Sequence, residues 1–195
     1  MKWDDAFWIV DVEGNGANPP EIVELAMAEV KAMVPTGNRR HWLVHPNEPI
    51  LQMVTRIHGI TNEDVAEAPS FDEIADDVLT WIEGAAIVGH NVKVDLEALK
   101  RVLPHWEPRA AIDTLKLAKA IKPGLQSYSL SSLSEALGIT PNVEGDFRTG
   151  AHSAPYDVAL TVALFRELLS SVPEAMRSTV IGDADIVERQ KDLLL

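Results

Sequence analysis

The chain has 195 residues, 46% of them hydrophobic, which is enough for one domain with a sizeable core. Its 17 Lys and Arg against 30 Asp and Glu give a formal net charge of −13, which argues against a nucleic-acid partner unless bound cations offset the charge. It has no cysteine, so disulfides, thiolate nucleophiles and cysteine-based zinc sites are excluded.

The chain carries no sequence signal for a membrane. Its N-terminus has no basic start followed by a long apolar run, and no segment reaches the ~20 apolar residues that span a bilayer. No linker or charge run divides it. We therefore expect a cytoplasmic protein without a membrane partner.

The first part of the chain predicts three β-strands. Residues 7–10 (FWIV) are a short apolar run, residues 21–30 (EIVELAMAEV) alternate, and residues 41–46 (HWLVHP) end at a proline. The sequence PTGN follows the second run and is typical of a turn. We expect neighbouring strands of a hairpin or meander.

Helices dominate the remainder. Ser70 caps a predicted helix that Gly84 ends, and residues 85–91 are a buried-strand candidate. The helix after this strand carries an apolar stripe of leucines. Further segments are predicted to be mainly helical: 112–121, 127–139 and 155–172. This order favours an α/β fold with a mixed sheet flanked by helices.

The sequence DVEGNG at residues 11–16 admits three interpretations. An EF-hand calcium loop would use Asp11, Glu13 and Asn15 with Gly16 at its sixth position, but the twelfth position is Ile22 instead of a bidentate Glu. A phosphate-binding loop needs more glycines, or a Lys followed by Ser or Thr. The third interpretation is a pair of carboxylates held at a strand end for catalysis.

Two arguments favour the carboxylate pair. Alternation along a strand places Asp11 and Glu13 on one face, about 7 Å apart. Both emerge from an apolar strand, and two like charges that are partly desolvated are costly unless a cation neutralises them. An isolated D-x-E is more often a plain polar turn, so a metal site requires further acids from elsewhere.

Two later segments provide such acids. Asn91 is a predicted N-cap after a buried strand, which places Asp95 in the first turns of the next helix. Pro155 suits the first position of a helix, so Asp157 falls in its first turn while His152 lies in the loop before it. Alone, each acid is explained by the helix dipole or by solvent exposure. A loop His beside a helical carboxylate also suits a base next to a metal ligand.

Several motifs together resemble the DEDDh, or DnaQ-like, 3′-to-5′ exonucleases over residues 6–169. They are DVE after a strand, IHGIT at 57–61, VGHNVKVD at 88–95, DTLKLAK at 113–119 and HSAPYD at 152–157. The resemblance implies an RNase H-like fold with a five-stranded mixed sheet. It also implies that four acids hold two Mg²⁺ or Mn²⁺ ions: Asp11, Glu13, Asp95 and Asp157. His152 would be the general base.

The resemblance also suggests contacts with the terminal nucleotide. Many family members have Thr after the Glu, where this chain has the small turn Gly14, Asn15 and Gly16. We expect that turn to leave room for a nucleotide, with His58 and Arg148 as further contacts. The second motif has Val94 where Phe is common. Both departures bear on substrate preference.

The function expected from the resemblance is release of nucleoside 5′-monophosphates from the 3′ end of nucleic acid, with DNA slightly preferred. The alternatives are an exoribonuclease trimming short RNA and a weakly active binding module or polymerase-associated subunit. Expected partners are single-stranded or frayed 3′ ends, with a homodimer or a larger replication or repair assembly. We expect residues 1–172 to form the exonuclease domain and residues 173–195 a helical tail, packed on it or at a dimer interface.

Overall fold

A computed structural model describes residues 1–141 and 152–187. Within them the chain forms five strands and seven helices. The strands are β1 (Ala6–Gly14), β2 (Ile22–Lys31), β3 (Val34–Leu43), β4 (Ala86–Gly89) and β5 (Ala110–Asp113). The helices are α1 (Gln52–His58), α2 (Phe71–Ile82), α3 (Lys93–Val102), α4 (Thr114–Ile121), α5 (Leu130–Leu137), α6 (Ala154–Ser170) and α7 (Glu174–Ala184).

The five strands form one mixed sheet in the order β3-β2-β1-β4-β5. The first three strands pair antiparallel, whereas β1 with β4 and β4 with β5 are parallel. The expected five-stranded mixed sheet is therefore confirmed. Because β1, β4 and β5 run in the same direction, their carboxyl ends meet at one edge, where α/β folds commonly place their sites.

The hairpin between β2 and β3 turns earlier than the sequence predicted. Lys31 pairs with Val34, and the two turn residues, Ala32 and Met33, have φ values of 49° and 64°. Such a tight turn with two positive φ angles matches the twist of the flanking strands. The PTGN sequence at 35–38 therefore lies within β3, and the prediction that the third strand starts at residue 41 was wrong.

Two short elements escaped the prediction. The segment 112–121 was predicted to be mainly helical, but its first two residues end β5 and the helix begins at Thr114. The strand has only four residues, all buried, and such a run shows no periodicity of its own. The seven-residue helix α1 was not predicted either.

Alternating side chains of the sheet feed two hydrophobic layers. On one face, Phe7 packs edge-on against Phe165 of α6, with ring centroids 5.6 Å apart. On the other face, Trp8 packs in the layer that includes Val78 of α2 and Leu99 of α3. The core thus fixes α6 and α3 on opposite faces of β1.

The C-terminal part of the described chain packs against the sheet, in the layer that contains α6. Ile181 of α7 is fully buried in the same layer as α6. Asp185 accepts a hydrogen bond from the amide of Ala111 at 3.1 Å and forms an isolated bridge with Ile112. The division of the chain at residue 172 stays a prediction. No helix in the described ranges has both the length and the apolar character required to cross a membrane.

Candidate active site

Three carboxylates meet at the edge where β1 ends. Asp11 and Glu13 lie on β1, and Asp157 lies in the first turn of α6. One oxygen from each of these three side chains lies within 4.8 Å of the other two. All three residues are half-buried. The structure therefore brings together three of the four acids that the sequence singled out.

Local sequence explains where Asp157 sits. Proline in the first turn of α6 favours helix initiation, and the amide of Asp157 donates to the carbonyl of Ser153 at 2.9 Å. The helix starts at Ala154, one residue before the predicted Pro155. Asp157 consequently extends from the start of a rigid, 17-residue helix.

The fourth acid, Asp95, is buried beside the cluster. Its Oδ1 atom accepts a hydrogen bond from the backbone amide of Val12 at 3.1 Å, so it reaches β1 between the other two acids of that strand. Gly89 permits this approach, because a Cβ atom there would lie 2.9 Å from Val92 and 3.3 Å from Asp95 Oδ2. The three-carboxylate group itself does not include Asp95.

The turn before Asp95 differs from the prediction. Val92, not Asn91, is the residue that precedes α3. Asn91 has a φ of 62°, and its amide donates to Asp113 Oδ1 at 3.0 Å. The same oxygen accepts the amide of Leu115 at 2.9 Å. Asp113, to which the sequence gave no role, thus joins the turn before α3 to the start of α4.

Burial raises the pKa values of all four acids, and the charges of nearby acids add to it. Burial raises the pKa of Asp11 well above its usual range, and the charges of Asp95 and Glu13 add to it. Burial, then the charge of Asp157, raises the pKa of Glu13 to about 8. Burial raises the pKa of Asp95 to about 7, against the opposing hydrogen bond from Val12.

Asp157 follows the same trend with one difference. Its pKa is raised by burial and lowered by the neighbouring His152. Such a concentration of acid at a strand end is costly unless a cation is bound, and carboxylate oxygens are the ligands that Mg²⁺, Mn²⁺ and Ca²⁺ accept. The donor set and its electrostatics therefore fit a divalent metal.

His152 lies in the loop immediately before α6, as the sequence predicted. It is exposed and has a φ of 67°. Its influence on the pKa of Asp157 places it next to the carboxylate cluster. The structure thus confirms its place beside the acids, and the general-base role of His152 stays a prediction.

The loop after Glu13 is tightly packed. Asn15 is fully buried, and its Oδ1 atom accepts the amides of Ala17 at 3.1 Å and Glu21 at 2.9 Å. Gly16 has a φ of 82°, and a Cβ atom there would lie 3.0 Å from Val54 of α1. The space expected to be free at this glycine is thus filled by the protein itself. A nucleotide contact by Gly14, Asn15 or Gly16 stays a prediction.

His58 joins α1 to the end of β1. Its Nδ1 atom accepts the amide of Ile60 at 3.1 Å, so the proton is on Nε2, which donates to the carbonyl of Gly14 at 3.3 Å. His58 is buried, and the residue that it contacts, Gly14, directly follows Glu13 in the chain. A contact of His58 with substrate stays a prediction. Arg148 lies outside the described residues.

One residue beside the site received no role from the sequence. Glu24 is fully buried on β2, directly opposite Glu13. Its two oxygens contact His41 Nε2 and the amide of Ala154, both at 2.8 Å. The sequence carries one signal for it, an acid inside the otherwise apolar run IVELAMA. A buried acid of this kind needs partners, but the run cannot reveal which ones.

Comparison with known proteins agrees with this geometry. A family model described as exonuclease (RNase_T) matches residues 8–165. The chain belongs to this exonuclease family. The DnaQ-like family, the RNase H-like fold and the assignment as a hydrolase that the sequence predicted are therefore confirmed.

Among relatives of this exonuclease, the DNA polymerase III subunit epsilon of Aquifex aeolicus (strain VF5) is 27% identical over 175 residues, covering 87% of this chain and 83% of the relative. The epsilon subunit of Rickettsia conorii (strain ATCC VR-613 / Malish 7) is 32% identical over 180 residues, covering 87% of this chain and 76% of the relative. The 3′-5′ exonuclease DinG of Staphylococcus saprophyticus is 32% identical, but the match covers 17% of that protein and 80% of this chain.

Solved structures give the same picture. Exonuclease X in complex with 5′ overhanging duplex DNA superposes with a TM-score of 0.70 at 28% identity, covering 90% of this exonuclease and 99% of that chain. A structure of exonuclease I superposes with a TM-score of 0.74 at 20% identity, covering 90% and 43%. The second comparison supports the fold alone.

Proposed function

We propose that this exonuclease removes nucleotides from the 3′ end of nucleic acid with the help of two Mg²⁺ or Mn²⁺ ions. The observation that carries the proposal is the carboxylate cluster: oxygens of Asp11, Glu13 and Asp157 lie within 4.8 Å of one another. Relatives that are named 3′-5′ exonucleases support the direction of attack.

The proposed roles follow from position. Asp11, Glu13 and Asp157 would hold the ions, and Asp95 would support them from the buried side of the cluster. The chemistry that two divalent ions would supply there is activation of a water for attack on a phosphodiester and stabilisation of the leaving oxygen. Bound cations also offset the acidic charge of the chain, which otherwise repels a polyanion.

His152 is the proposed general base. It lies in the loop before Asp157, exposed and next to the acidic cluster, where it can take a proton from the attacking water. A positioned base typically contributes 10² to 10⁴ in rate. The products of the hydrolysis are a nucleoside 5′-monophosphate and a nucleic acid shortened by one nucleotide.

DNA is the preferred substrate in this proposal, as single-stranded or frayed 3′ ends. The relatives include epsilon subunits of a DNA polymerase, and the exonuclease X structure contains duplex DNA with a 5′ overhang. The same relatives support the proposal that this exonuclease acts within a replication assembly. A homodimer and a cytoplasmic location remain proposals from the sequence.

A nuclease assay tests the proposal. End-labelled DNA and RNA oligomers, each with a free or a blocked 3′ end, are incubated with Mn²⁺, and products are resolved by length. We expect stepwise shortening from free 3′ ends only, faster on DNA. Asp11→Ala should abolish hydrolysis while leaving the fold intact by circular dichroism.

Three outcomes would contradict parts of the proposal. Unchanged activity in EDTA would exclude the metal mechanism. Faster turnover on RNA would make the protein an exoribonuclease. Binding of 3′ ends without cleavage in Mn²⁺ would make it a binding module, even though it retains the acids.

A further inference from the structure

Glu24 connects the two halves of the carboxylate cluster. It lies on β2, opposite Glu13 of β1, and its Oε2 atom accepts the amide of Ala154 at 2.8 Å. Ala154 is the first residue of α6, the helix that carries Asp157. Glu24 is therefore a direct link from the sheet that holds two of the acids to the helix that holds the third.

This contact supplies a partner for the first amide of α6. The first amides of a helix lack partners within it, and a Ser at the N-cap usually supplies one. Ser153 precedes α6 but makes no capping hydrogen bond with its side chain. Glu24 instead satisfies the first amide of the helix, that of Ala154, from a neighbouring strand, and its negative charge also suits the positive end of the helix dipole.

The second oxygen of Glu24 is held as well. His41 on β3 donates from Nε2 to Glu24 Oε1 at 2.8 Å. With one oxygen on His41 and the other on Ala154, the carboxylate has a single orientation. Both oxygens of Glu24 already accept hydrogen bonds from the protein, so we assign it a positioning role and not that of a metal ligand.

We propose that Glu24 is a positioning residue that sets the start of α6, and with it Asp157 and His152, against the end of β1. This inference rests on the proposed function. It assigns to β2 and β3 a part in the reaction that neither the motifs nor the acidic cluster indicates. A misplacement of about 1 Å at a catalytic group can cost 10²-fold in rate, so a short, buried link of this kind has a measurable effect.

Two conservative variants separate position from charge. Glu24→Gln removes the charge but keeps the length of the side chain. Its carbonyl oxygen still accepts the Ala154 amide, and its NH₂ group donates to Nε2 of His41 in the neutral tautomer that has no proton on that nitrogen. Glu24→Asp keeps the charge but is shorter by one methylene, so it withdraws from Ala154. Saturating Mn²⁺ compensates a lost charge, but it does not restore a displaced helix.

Two measurements follow. In saturating Mn²⁺ we expect Glu24→Asp to lower kcat by at least about tenfold and Glu24→Gln by no more than about threefold. In the metal-free protein, NMR hydrogen exchange should show the Ala154 amide protected in the wild type and in Glu24→Gln, and exchanging faster in Glu24→Asp. The second measurement does not depend on activity.

A matched control excludes a general effect of helix capping. Ser129 caps α5, a helix that carries none of the four acids, by accepting the amide of Ser132 at 3.2 Å. Ser129→Ala should lower the melting temperature but leave kcat unchanged. If Glu24→Asp does not fold, His41→Ala replaces it. This variant frees one oxygen of Glu24, and we expect a smaller fall in kcat, about threefold, with faster exchange at Ala154.

The outcomes are decisive. The positioning role would be overturned if Glu24→Asp kept the wild-type kcat, if both variants lost activity equally, or if only Glu24→Gln lost activity. It would also be overturned if His41→Ala kept the wild-type kcat and the wild-type exchange rate at Ala154. A wild-type protein with no 3′-to-5′ activity would instead overturn the proposed function. In that case, protection of the Ala154 amide would still report on the link itself.

Discussion

Asp95 of α3 and Val12 of β1 are joined by a hydrogen bond of 3.1 Å, from the backbone amide to the carboxylate. The bond lies between Asp11 and Glu13 in sequence, so the helix-borne acid is fixed at the centre of the strand-borne pair. Burial raises the pKa of Asp95 to about 7, even though this hydrogen bond favours its charged form. The site therefore holds its fourth acid at a cost in the metal-free state.

Asp95→Asn tests that cost. The amide oxygen of Asn can still accept from Val12, so the fold should be kept while the negative charge is lost. We expect exonuclease activity to fall on the order of 10²-fold. We expect the free energy of unfolding of the metal-free protein at pH 8 to rise by about 1 kcal/mol. Urea unfolding and a nuclease assay measure the two effects.

Asp76→Asn is the matched control, because Asp76 is exposed on α2, a helix that carries none of the four acids. It should change neither quantity. A loss of stability in Asp95→Asn would show that the charge itself is needed for folding.

The stability of the metal-free protein should depend on pH in one direction. The pKa of Glu13 rises from its ordinary 4.5 to about 8 on folding, and that of Asp95 from 3.8 to about 7. The folded state therefore binds more protons than the unfolded state between these values. For these groups stability is greatest below about pH 4 and falls as the pH rises to 8, by an amount on the order of several kcal/mol.

Thermal melts in EDTA from pH 5 to pH 8 measure this loss, and added Mg²⁺ or Mn²⁺ should remove most of it at pH 8 by neutralising the acids. Melting temperatures in EDTA that rise over this range would contradict raised pKa values. A melting temperature that does not change when Mg²⁺ or Mn²⁺ is added would argue against a metal at this site.

The sequence located the acids better than it located the frame that holds them. Asp11, Glu13 and Asp157 were predictable because an apolar strand and a proline-led helix start are local patterns. The contact between Glu24 and Ala154 spans 130 positions, so no window of sequence reveals it. The short strand β5 was missed for a related reason, since four buried residues show no period, and its Asp113 supports a turn 22 residues away.

His152→Ala should separate proton transfer from metal binding. The side chain is exposed beside Asp157, so its removal leaves the carboxylates in place. We expect turnover to fall by about 10² to 10⁴. Binding of Mn²⁺, followed by electron paramagnetic resonance, should change little.

His105→Ala serves as the control, because His105 is exposed after α3 and takes no part in the site. It should behave as the wild type in both measurements. An equal loss of turnover and Mn²⁺ binding in His152→Ala would make His152 a metal ligand instead of the base.

Asn15→Ala should destabilise the loop that follows Glu13. The buried Asn15 side chain accepts the amides of Ala17 and Glu21 and donates to the carbonyl of Glu48 at 3.2 Å. Its removal leaves buried polar groups without partners, which costs about 2 kcal/mol. Urea unfolding should show this loss, whereas Asn38→Ala, an exposed Asn at the β2-β3 hairpin, should stay within about 0.5 kcal/mol of the wild type. Unchanged stability together with a raised KM would instead make Asn15 the substrate contact that the sequence suggested.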